Sequence, residues 1–177
     1  VGGLLLWLML RLWNPVAAWL KKRSLLEQVL VALAFSLLLL VPSLLARLWL
    51  DANFTLPDAW LQNAAAAVGS GLALDPTSIE GTVSNAGTIF GLAVGLALFT
   101  RRGGFRIGGV WWKLLLRFVL GVAGVFAIRY GLKAVFPEGA TWLPMALRYL
   151  RYACIGAWVT GGAPWAFLRL KLAEKTG

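Results

Sequence analysis

Four cations near the ends of two apolar stretches are the side chains best placed to do chemistry. Arg129 and Lys133 stand four apart in the last two turns of one stretch, and Arg148 and Arg151 stand three apart in the next. On helices each pair shares a face. A cation set into apolar surroundings points by default to an anion, here the headgroup of an anionic lipid. The same charges have a plainer use, which is to pair with Glu80 and Glu138 or to extend their tips to the membrane surface. Beyond binding an anion the chain is poor in reactive groups. It has no histidine and a single cysteine, Cys154, which excludes an intramolecular disulfide, a Cys/His metal cluster and a histidine nucleophile or general base. No catalytic, metal-binding or cofactor-binding residue is assigned, and no cofactor is expected.

Two further motifs carry less. Gly103-Gly104 and Gly108-Gly109 flank Arg106 and follow Arg101-Arg102, but without the spacing or the preceding strand of a nucleotide-binding loop they read as a flexible, lipid-facing basic turn. Asn53-Phe54-Thr55 matches a glycosylation sequon, a three-residue pattern too short to carry an argument by itself.

The elements that hold these residues are membrane helices. Of 177 residues 60% are hydrophobic and 14% charged, with mean hydropathy +0.78, more apolar surface than a soluble domain could hide. The formal charge of +10 is not a nucleic-acid stripe, because its members punctuate apolar runs. The expected fold is all-α, a polytopic transmembrane bundle of about five segments, the first partial, with short interfacial helices.

Its centre is Glu80 to Thr100, where Gly87, Gly91 and Gly95 recur every four residues and line one helix face. In lipid, burial of apolar surface gives helices no drive to associate, so close van der Waals contact across such a face is much of what joins them.

Val1 to Trp13 reads as the end of an upstream transmembrane helix entered partway, closed by a break at Asn14-Pro15. Residues 14–177 then form a four-span membrane domain. Within it, Val16 to Glu27 is expected to lie at the interface, and Leu25 to Leu50 to span with a kink at Pro42. Asp58 to Val68 is a short rim helix ended by Gly69-Ser70-Gly71. Asp75-Pro76 with Thr77 and Glu80 starts the glycine-faced helix. Val110 to Phe136 and Trp142 to Leu168 complete the spans, the last bent or unwound near Gly161-Gly162 and Pro164. Arg11, Lys21, Lys22, Arg23, Arg101, Arg102, Arg106, Lys113, Arg169, Lys171 and Lys175 fall on one side. Five of the seven acids, Asp51, Asp58, Asp75, Glu80 and Glu138, fall on the other. The basic side, with the C-terminus, is then cytoplasmic.

Several short motifs, in order, carry a resemblance: Val1-Gly2-Gly3, Asp75-Pro76 with Ile79-Glu80-Gly81, Gly87 with Phe90-Gly91-Leu92, Arg101 to Phe105, Arg148 to Tyr152, and Ala163-Pro164-Trp165 with Phe167. The chain resembles the C-terminal half of a long bacterial member of the type 2 phosphatidic acid phosphatase family, membrane enzymes that act on lipid phosphates and pyrophosphates. In that family catalysis rests on a Lys with a downstream Arg-Pro, a Pro-Ser-Gly-His, and a Ser-Arg followed by a His and an Asp. None of these blocks is present here, so no catalytic residue carries over.

The resemblance implies an accessory C-terminal membrane domain of a lipid phosphatase, itself non-catalytic and resident in a bacterial cytoplasmic membrane. A structural subunit of a larger integral-membrane complex is the second reading. A transporter or channel, the third, would need more polar groups in mid-span than Gln28, Ser84, Asn85 and Thr88. Expected partners are membrane lipids, with the catalytic half, a second copy or other membrane subunits beside them, and no nucleic acid.

Overall fold

The computed structural model describes residues 2–55, 57–68, 78–106, 108–137, 139 and 141–175. The helices are α1 (Gly2–Lys21), α2 (Leu25–Asn53), α3 (Asp58–Val68), α4 (Glu80–Thr100), α5 (Trp111–Val135), α6 (Trp142–Ala157) and α7 (Ala163–Arg169), with a π-helical turn at Trp158–Gly162 joining the last two. Helices α1, α2, α4 and α5 are each long and apolar enough to cross a membrane. The run from α6 through the π turn to α7 is unbroken and makes the fifth long segment. The fold is an all-α transmembrane bundle. Among the described residues the extended pairing is a single antiparallel bridge, Phe105 with Lys175.

Helix α4 sits in the middle. It runs parallel to α6, and its glycine face is pressed against that helix. A Cβ added at Gly87 would fall on the Tyr149 carbonyl. One at Gly91 would fall on the Ala153 carbonyl, with its carbon 2.7 Å away, and one at Gly95 on the Thr160 hydroxyl, with the Ala157 carbonyl oxygen 2.7 Å away. The contact is reciprocal: a Cβ at Gly156 would meet Thr88 and Leu92, and one at Gly161 would meet Gly95 at 2.8 Å. Backbones at this separation exclude side chains from the seam, so dispersion contact is continuous along it.

Helix α2 packs antiparallel to α4 on another side. The two meet α6 at Ser36, fully buried, whose hydroxyl donates to the Ala86 carbonyl at 2.8 Å and lies 2.8 Å from the Tyr149 hydroxyl. Thr160 donates to the Leu92 carbonyl at 2.8 Å, and the Trp158 indole to the Gly121 carbonyl of α5 at 3.0 Å. Such interhelical bonds in lipid average about 0.6 kcal/mol each. They set register more than they supply strength.

The structure corrects several expectations. Asn14-Pro15 does not end the first helix, since α1 runs through Pro15 to Lys21. Proline forfeits one backbone bond, and in lipid a helix that stopped there would strand several more groups without partners. The described part of the first segment is thus already 20 residues long and apolar enough to cross a membrane, and no separate interfacial segment spans 16–27: its first residues finish α1 and its last begin α2. The Gln28 amide, donating to the Leu20 carbonyl at 2.9 Å, ties the two helices. Helix α2 begins with a capping box the expectations lacked, in which the Ser24 hydroxyl accepts from the Glu27 N–H at 3.2 Å and the Glu27 carboxylate accepts from the Ser24 N–H at 2.6 Å.

Near Pro164 the helix is locally widened into the π turn and not broken. The Ala163 N–H reaches back five residues to the Trp158 carbonyl, and this wider turn accommodates the donor that Pro164 lacks without breaking the run. The basic turn after α4 is not loose either: the Arg106 N–H donates to the Glu174 carbonyl at 2.8 Å, next to the bridge, so the C-terminal tail is folded over it. The helix start read at Asp75-Pro76-Thr77 and the stop at Gly69-Ser70-Gly71 lie outside the described residues.

Candidate functional site

One end of the bundle is built from the start of α4, the first half of α6 and the connection from α5. Glu80 opens α4, where its N–H lies 3.4 Å from the Ser78 hydroxyl that accepts from it. Because α4 and α6 run parallel, the first turn of α4 lies beside the second turn of α6, and the Glu80 carboxylate meets the Arg148 guanidinium at 2.6 Å. The pair is partly exposed, with side-chain exposures of 40% and 21%, so screening limits its worth to about 1 kcal/mol or less. Its effect is to neutralise Arg148 and to pin α6 in register with α4.

Arg151, three residues on, is different. It is only 8% exposed, and its Nε is enclosed with no hydrogen-bond partner. Its guanidinium lies 5.6 Å from the Tyr152 ring centroid. A buried cation held by a ring face and lacking a partner at one donor is costly unless something anionic completes it. Arg151 and Arg148 line one small hollow with Phe136, Pro137, Gly139 and Pro144. The hollow is small, about 10 Å³, and its lining offers mainly cationic donors. Among the described residues it offers no nucleophile and no proton donor suited to phosphoryl transfer.

Arg148 and Arg151 share the hollow, whereas Arg129 and Lys133 are exposed on α5 and do not line it. Glu138, the other expected partner, lies outside the described residues. Gly87, Gly91 and Gly95 are buried along α4 against α6 and its π turn.

Sequence reasoning passed over Arg117. This residue, two turns into α5, is 8% exposed, and its Nε donates to the Leu172 carbonyl at 2.9 Å while Nη2 reaches that oxygen and the Gly108 carbonyl, the latter at 3.3 Å. It also lies over the Phe105 ring at 5.8 Å. Arg117 therefore clamps both the tail and the basic turn onto the bundle, assisted by Lys113, which donates to the Lys171 carbonyl at 3.3 Å. The signal was available: a lone cation inside an apolar stretch has to be answered by carbonyls or carboxylates.

A bundle of apolar helices with a glycine seam and its basic residues drawn to the ends is an integral membrane module. More than half of the chain, residues 83–175, matches the PAP2 superfamily phosphatase, transmembrane extension family, and the chain belongs to that family. The match opens one turn into α4 and closes at Lys175, so it covers the parallel α4 and α6 pair, α5, and the clamped tail up to its bridge. No curated protein and no solved structure matches the chain.

Proposed function

We propose that the chain is a non-catalytic accessory module of a lipid phosphatase in a bacterial cytoplasmic membrane, with its C-terminus on the cytoplasmic side. The observation that carries this reading is the family match over residues 83–175 in a chain that has no histidine. Metal-free phosphoryl transfer needs a nucleophile, a proton donor and fixed cations converging on one phosphorus atom. Here only the cations are supplied. At the outer end Arg151, with its unpartnered Nε beside the ion-paired Arg148, draws anionic headgroups toward the bundle, where a catalytic domain takes them over as substrate. The end that bears Arg23 and Arg101 is the cytoplasmic one by the excess of Lys and Arg there. Membrane lipids and the catalytic domain are its partners, and nucleic acid is not.

Proteoliposomes of the 177-residue chain, supplied with phosphatidic acid or an isoprenoid pyrophosphate, are expected to release no phosphate above protein-free liposomes. Release above that blank would overturn the non-catalytic reading. Arg151→Gln is expected to lower retention of phosphatidic acid relative to phosphatidylcholine, and equal retention would remove the outer hollow from the account.

A further inference from the structure

The opposite end of the bundle carries a second cationic recess that the accessory reading does not use. It is a cleft of about 640 Å³ lined by Phe99, Arg102, Trp165, Leu168, Arg169 and Lys175. Each cation is delivered by a different piece of chain. Arg102 stands in the turn that closes α4, its N–H donating to the Phe99 carbonyl at 2.9 Å. Arg169 is the last residue of α7 and lies 5.3 Å from the Trp165 ring centroid. Lys175 is brought round by the tail, which turns at Lys171 (φ 55°), is held through Leu172 by Arg117, and ends in the bridge to Phe105. The floor is fixed as well, because Phe99 is buried and packs edge-on against Phe105, which in turn packs against Phe167. Among the described residues no acid lines the cleft.

We infer that this cleft binds the phosphate headgroup of an anionic phospholipid. Three positive charges, with no acid among the described lining residues, select an anion. Arg forks and a Lys ammonium suit phosphate oxygens in particular. The walls choose among phosphates: Phe99, Leu168 and the 43%-exposed Trp165 are apolar surface next to the charges, at the ends of membrane-crossing helices. A free phosphate would leave that surface wet, whereas a lipid covers it with its glycerol and upper acyl carbons while an indole sits at headgroup level. The clamp made by Arg117 and Lys113 then has a purpose beyond tidiness, since without it Lys175 would not face Arg102 and Arg169.

The test is lipid retention by the full chain in nanodiscs of phosphatidylcholine with and without phosphatidylglycerol, read by native mass spectrometry. Each basic residue near an anionic surface is worth about a fivefold preference. The triple variant R102Q/R169Q/K175Q should therefore hold phosphatidylglycerol roughly a hundredfold more weakly than the parent chain. An equal loss of charge on the same side but away from the cleft, R11Q/K21Q/K22Q, should cost much less than the triple variant, and the triple variant's loss should keep the same fold-change in an Arg151→Gln background, which removes the hollow at the other end. The single variants serve if the triple variant unfolds. Excess inorganic phosphate should not displace the lipid. Undiminished retention in the triple variant or in all three single variants, an equal loss in R11Q/K21Q/K22Q, disappearance of the triple variant's loss in the Arg151→Gln background, or equal retention of phosphatidylcholine would each overturn the assignment, and displacement by inorganic phosphate would reassign the cleft to a soluble anion. None of these outcomes depends on phosphatase activity.

Discussion

Replacing Gly91 by alanine tests the α4 and α6 seam with a single methyl group. The new Cβ would fall on the Ala153 carbonyl and lie 2.7 Å from its carbon, where ordinary contact begins near 3.4 Å. The obstacle is backbone, so no change of rotamer relieves it and the helices have to part by several tenths of an ångström. Overpacking of this kind costs about 1–3 kcal/mol. Alanine also recovers about 0.5–1 kcal/mol of helix propensity, which hides part of the clash. Gly131 supplies the correction, because it lies on α5 with nothing within 4 Å of an added Cβ and gains the same propensity without the clash. Gly91→Ala should therefore be less stable than Gly131→Ala by about 1–3 kcal/mol, the propensity term cancelling between them. Reversible unfolding in mixed micelles measures the difference. Gly91→Leu should fare worse still, and Leu92→Ala, at a half-buried position, should be milder than Gly91→Leu. Equal stability of Gly91→Ala and Gly131→Ala would refute the claim that backbone contact along this face holds the bundle together.

The hydrogen bonds around Ser36 admit a sharper measurement. A double-mutant cycle of Ser36→Ala and Tyr149→Phe should return a coupling of about 0.6 kcal/mol and no more than about 1.7, and zero coupling would mean that the two hydroxyls do not meet in the membrane. Orientation is tested with single cysteines in a Cys154→Ala background. Ser24→Cys and Gly104→Cys should be shielded from an impermeant thiol reagent in intact cells and Asn63→Cys labelled; the opposite pattern would invert the assignment of sides.

What the sequence disclosed and what it withheld divide along physical lines. Span positions were legible because an apolar run of membrane length has one low-energy use, and α3, α4 and α5 fall within a residue of where the hydropathy and turn residues put them. The glycine period of α4 was legible as a face, but not the parallel partner, since only the fold says that Gly156 and Gly161 of the α6 segment answer it. Proline was over-read at one position: Pro15 lies inside α1, because lipid penalises a helix end far more than one missing donor, whereas Pro42 lies inside α2 as expected. The Ser24 and Glu27 box was legible, as a Ser three residues before a Glu at the head of an apolar run.

The cations were the least legible of all, for a reason that bears on both proposed lipid sites. Spacing along a helix tells which side chains share a face, so Arg148 and Arg151 could be paired from the sequence. Which helix supplies the answering charge is a tertiary fact, and so Glu80 took up Arg148 and left Arg151 with an unpartnered donor. Arg102, Arg169 and Lys175 are far apart along the chain, and their convergence depends on Arg117, a residue whose own value lies in two backbone carbonyls it holds rather than in any ligand. Charge count identifies a membrane-facing end. Only the clamp turns that end into a cleft, and a chain with the same composition and an unheld tail would carry the charges without the site.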